Sequence, residues 1–162
     1  MTSLQIKELK HFMNTLLLSE QFDIFQVAEA TITTFNTFHI DGHIVKEFYS
    51  SDEEITSDLS LWKDIRPICF QLIKGKRTPV SFRIILQATP ALIEKLAACE
   101  ECEVAANLIG SLTLNIRFEA GRATCVTGTS FTTFLMDKTT DAVWDKYIRL
   151  FFEKAGIAFE EQ

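Results

Sequence analysis

Apolar residues along this chain follow a helical period in some stretches and a period of two in others, and the switches between them mark out its elements. Leu4, Leu9, Phe12, Met13, Leu16 and Leu17 share one helical face, with Lys7, Lys10 and Asn14 opposite and Ser3 in the place of an N-cap. This predicts a first helix ending near Ser19. From Phe25 to Ile40 β-branched and aromatic residues dominate, and Asp41 and Gly42 before Ile44 to Tyr49 read as a two-residue hairpin turn. Asp52, Glu53, Glu54 and Asp58, set among serines, break the apolar pattern and predict a solvated loop.

Trp62, Ile65, Cys69, Leu72 and Ile73 restore the helical period, with Gly75 as the closing residue, while Pro67 either starts the regular helix or kinks a longer one. Val80 to Gln87 is a short apolar strand, after which Thr89 and Pro90 form a helix start for the stripe Leu92, Ile93, Leu96 and Ala97. Leu112, Leu114, Ile116 and Phe118 alternate with polar residues, and the turn at residues 119–122 returns the chain as a strand reaching Met136. Thr140 or Asp141 opens a last helix, which buries Val143, Trp144, Tyr147, Ile148, Phe151 and Phe152 and is closed by Gly156.

The order helix, hairpin, helix thus occurs twice around one strand, and a sequence echo accompanies it. Residues 31–41 (TITTFNTFHID) and 127–137 (TGTSFTTFLMD) agree at six of eleven positions at a spacing of 96. Trp62 and Trp144 each open the helix that follows, and Gly75 and Gly156 close them nearly in register. An internal pseudo-repeat is expected, with halves of about 1–78 and 79–157 inside one domain of 162 residues. Threonines 31, 33, 37, 127, 129 and 133 should form rows on one sheet face, either solvated or offered to a protein partner, and exposed strand edges make a homodimer a candidate. Phe35, Phe38, Phe131 and Phe134 read as core.

Composition narrows the function more than the fold. A 47% hydrophobic content permits one good core, and a net charge of −6 excludes a chain that coats nucleic acid through its overall charge, though not one with a local basic face. No run is long and apolar enough to span a membrane, and the opening residues lack a signal-peptide core, so a cytoplasmic chain is expected. Cys69 and Cys125 sit among apolar neighbours as core residues, and four cysteines do not make a disulfide framework.

Residues 29–38 (EATITTFNTF), 66–79 (RPICFQLIKGKRTP) and 156–160 (GIAFE) resemble a family of short proteins from anaerobic Clostridia that carries no assigned function. The resemblance covers the whole chain and implies no activity. Residues 80–155 are similar, more weakly, to the repeated module of DNA sliding clamps: strand, helix, then the hairpin of residues 110–129 (GSLTLNIRFEAGRATCVTGT) ending in a Gly-Thr step. That likeness implies helices lining a basic surface. Ser130 departs from it, standing where clamp modules carry an acid, and the chain is short for a ring-forming subunit.

No reaction is legible. Cys99 and Cys102 have redox or metal spacing, but a helix C-terminus and Glu100, Glu101 and Glu103 raise the thiol pKa, against redox work. His39 and His43 flank the hairpin turn and should point to opposite faces, His11 lies near an exposed helix edge, and nothing pairs Glu29 with Asp58 as acid and base. Neither a nucleophile elbow nor a phosphate loop is present, since the glycine the latter needs ahead of Gly75 is Phe70. No cofactor or metal is expected. Cations gather instead: Lys63, Arg66, Lys74, Lys76 and Arg77 on or after the second helix, and Lys146, Arg149 and Lys154 on the last. They are either solvated helix faces or a phosphate-contacting surface. The expectation is an α+β protein, mainly antiparallel, with four helices, for which the resemblance implies a clamp-like fold. It acts without catalysis by contacting nucleic acid or another protein. The alternative is a small-molecule enzyme or ligand carrier with a pocket between the halves.

Overall fold

A computed structural model covers all 162 residues. Its strands are β1 (Ser3–Ile6), β2 (Phe25–Thr33), β3 (Thr37–Asp41), β4 (Ser60–Leu61), β5 (Ser81–Ala88), β6 (Ile109–Glu119), β7 (Arg122–Phe131) and β8 (Phe159–Glu161). Its helices are α1 (Leu9–Leu18), α2 (Trp62–Ile73), α3 (Pro90–Ala97) and α4 (Thr139–Lys154). The eight strands form one sheet, antiparallel at every pairing, in the order β3-β2-β5-β6-β7-β1-β8, with β4 also on β2. The fold is α+β, as expected.

Alternation places the core. The cross-strand rows Ile32, Phe82, Phe118, Ala123 and Ala30, Ile84, Ile116, Cys125, Leu4 are buried and covered by the four helices in a single cluster. Rows one residue out of phase, such as Thr31, Arg83, Arg117, Thr124 and Gln5, line the face that no helix covers. Trp62 and Trp144 are fully buried, and each indole N–H finds a carbonyl, on Leu16 at 3.1 Å and Thr113 at 2.8 Å. No helix is long and apolar enough to cross a membrane.

Several expectations are corrected. Residues 3–6 are a strand wedged between β7 and β8, so Leu4 and Ile6 are buried by period two and α1 begins only at Leu9. The first hairpin turns at residues 34–36, where Thr34 N–H reaches Asn36 O at 2.9 Å, and Asp41 and Gly42 make no hairpin turn. Residues 44–49 form no return strand; they contain a short 3-10 turn, Lys46–Phe48. At the other end β7 stops at Phe131, short of Met136, and β8 was not anticipated. Trp62 does open α2, but Trp144 is the sixth residue of α4, and Pro67 lies inside α2.

The threonines do not share a face. Thr31 and Thr33 lie on the open side, bonded to His39 and Thr37, whereas Thr127 and Thr129 point toward α4 and donate to Asp145 and Asp141. Phe35 and Phe134 are 85% and 87% exposed and belong to no core.

Candidate cationic and aromatic groove

Helix α2 ends at Ile73 because Lys74 leaves helical geometry, and Gly75 then takes a φ of +143°, a region that side chains rarely adopt. This swings residues 76–80 away from the helix and across to the hairpin of β2 and β3. Between loop and hairpin tip lies an open cavity of about 660 Å³, lined on one side by Lys74, Lys76 and Arg77 and on the other by Thr34, Phe35 and Phe38. The two rings meet edge to face at 5.7 Å, and Phe35, 85% exposed, keeps at least one face open.

The electrostatics of the groove differ from those of the whole chain. No aspartate or glutamate lines it, and none of its three cations makes an ion pair. Lys74 Nζ hangs 6.0 Å from the Phe70 ring, a cation–π distance that holds the charge at the groove without neutralising it. Thr34 Oγ1 is buried and has no hydrogen-bond partner.

Three of the other candidate cations are engaged elsewhere. Arg66 makes a two-pronged pair with Asp23, Nε to Oδ1 at 3.0 Å and Nη2 to Oδ2 at 2.9 Å, and this bonding raises its pKa. Lys146 pairs with Glu101 at 3.3 Å and Arg149 with Glu161 at 3.2 Å. Lys63 is exposed on α2 and does not line the groove. Of the cations singled out in the sequence, the groove therefore brings together Lys74, Lys76 and Arg77 alone. Phe35 and Thr34 were missed, because a threonine- and phenylalanine-rich run with no glycine or proline reads as unbroken strand.

Catalytic constellations do not form around the other polar residues. His39 shares a hydrogen bond with Thr31 at 3.0 Å, while His43 Nδ1 lies 2.6 Å from Asp41, so the two imidazoles take separate partners. His43 N–H also bonds Asp41, and together these contacts lower the carboxyl pKa. Glu29 is paired with Arg83, and Asp58 with Lys46 at 3.8 Å. No group of three or more His, Cys, Asp or Glu is placed to hold a metal ion. Burial pushes the Cys69 thiol up to about 12 and raises that of Cys125 as well, so both are core sulfurs.

Residues 15–160 match the model of a family of unknown function, DUF5721. No curated protein and no solved structure matches the chain significantly.

Proposed function

Because the chain belongs to this family of unknown function, which brings no activity with it, we propose from its own chemistry that it is a non-catalytic binding protein whose groove takes an anionic chain, nucleic acid or an acidic protein segment. One observation carries the reading: on a protein of net charge −6, three unpaired cations stand in an acid-free cavity opposite an exposed aromatic ring. Counter-ion release from such a surface gives affinity that needs no particular sequence.

The clamp-like, two-half organisation belongs to this proposal too. Strand, helix, hairpin and helix follow in that order in residues 1–78 and again in 79–157, which supports a duplicated binding scaffold in a cytoplasmic protein. Edge strands β3 and β8 are open to a second copy. All the residues lining the groove except Val80 belong to the first half, which favours binding along a surface over a carrier pocket between the halves.

Fluorescence anisotropy with a labelled oligonucleotide and a labelled polyglutamate, at low and raised salt, tests the reading. At least one should bind, with affinity falling as salt rises; for a single strand contacting three cations the slope of log K on log salt is about −2. The triple variant Lys74→Glu, Lys76→Glu, Arg77→Glu should abolish binding, and Lys146→Glu with Arg149→Glu should change it little. No binding of either chain at low salt would remove the proposal.

A further inference from the structure

Resting on the reading of the groove as an anion site, we infer that its ligand is single-stranded nucleic acid, held by stacking of an unpaired base on Phe35 while Lys74, Lys76 and Arg77 follow the phosphates. The two banks of the groove divide these tasks. Phe35 stands at the tip of the β2–β3 hairpin, 85% exposed, and meets Phe38 in an edge-to-face contact at an interplanar angle of 75°. The contact braces the Phe35 ring, and its exposure leaves at least one face free. A free, braced face is what a base-stacking platform requires.

An apolar anchor of a peptide needs the opposite, a pocket that buries it from water, and Phe35 has none. Bases inside a duplex are stacked on one another, so a duplex flank would meet the cations without offering a base face to the ring. The cations lie across the cavity from Phe35, so a strand crossing the groove presents base and phosphate to different banks.

Replacement of Phe35 by tryptophan supplies the direct readout. Trp62 and Trp144 are fully buried, so a tryptophan at position 35 is the one indole exposed to a ligand. In the full chain carrying Phe35→Trp, oligo-dT should quench emission saturably, and a duplex of equal length should not. In the wild-type chain, anisotropy should show oligo-dT bound more tightly than that duplex, and Phe35→Ala should weaken oligo-dT about tenfold, the loss of one stacked base, while leaving the salt slope unchanged. If the triple charge variant abolishes binding but Phe35→Ala has no effect, or duplex binds as well as oligo-dT, the stacking inference falls and the anion groove stands. Binding of polyglutamate with none of oligo-dT overturns the nucleic-acid assignment in favour of an acidic protein partner. If no anionic chain binds, both readings fall together.

Discussion

Asp137 shows how one side chain sets an element boundary. The first residues of α4 have no formal side-chain cap, yet Asp137 Oδ2 accepts the Thr140 N–H at 2.9 Å and Oδ1 accepts the Thr139 hydroxyl at 2.7 Å. Burial alone would raise its pKa, but the bonds to Thr140 and Thr139 win and hold it at about 2. An unfolded aspartate titrates near ~3.9. The stabilisation is therefore complete above about pH 4 and is lost as the pH falls through about 2. A cap is worth about 1 kcal/mol, so Asp137→Ala should lower Tm by about 2–4 °C at neutral pH. The gap from wild type, followed by circular dichroism melts, should close between pH 4 and 2; a gap unchanged at pH 2 would disprove the linkage. The cysteines divide in the same local way. A thiol-reactive disulfide reagent should titrate the partly exposed Cys99 and Cys102 in the native protein, and Cys69 and Cys125 only after denaturation.

Elements whose signals are local and chemical were legible; those decided by what lies across the sheet were not. Thr89 does cap α3, accepting the Leu92 N–H at 3.2 Å, and the β6–β7 turn uses left-handed Ala120 and Gly121 as its sequence foretells. Strand β1 was hidden because Leu4 joins a helical stripe as readily as a strand, and only β7 and β8 on either side decide the matter. Thr127 and Thr129 were misplaced because threonine suits either face, and the acids of α4 that choose for it lie more than ten residues away. Gly42 was misread for a different reason. It looks like a turn glycine, but its N–H bonds Ala28 O at 2.8 Å at the bulge of β2, and its own carbonyl takes the Ser60 N–H at 2.8 Å. A Cβ there would lie 1.9 Å from Val27 O, so close approach of two backbones demands the glycine. Gly42→Ala must push β2 and the following loop apart at about 1–3 kcal/mol, visible as a lower urea midpoint with an unchanged m-value. A midpoint within error of wild type would show that the loop yields freely. The groove was half legible by the same rule: its cations are contiguous in sequence, whereas Phe35 becomes a surface residue only because the strand breaks at residues 34–36.

For the whole molecule, the echo between residues 31–41 and 127–137 raises the question of whether two halves fold separately. Strand pairing argues that they do not. β1 from the first half completes its hydrogen bonds on β7 of the second and on β8, which follows it, and β5 of the second half joins β2 of the first. The halves interleave within one sheet, and a single cluster of apolar residues runs through both. Severing the chain between residues 78 and 79, in the exposed loop, would leave residues 1–78 with no neighbour for β1 and residues 79–162 with β5 and β7 as open edges. Each piece would also expose apolar surface that the other covers in the shared core, and so lose much of the burial that offsets the ordering entropy. The intact protein should therefore unfold in one transition, with calorimetric and van't Hoff enthalpies equal. Each fragment alone should give no cooperative melt, and mixing them in equal amounts should restore the native circular dichroism and the transition. A fragment that melts cooperatively by itself would mean that the repeat marks an autonomous unit and that the shared sheet joins domains already folded.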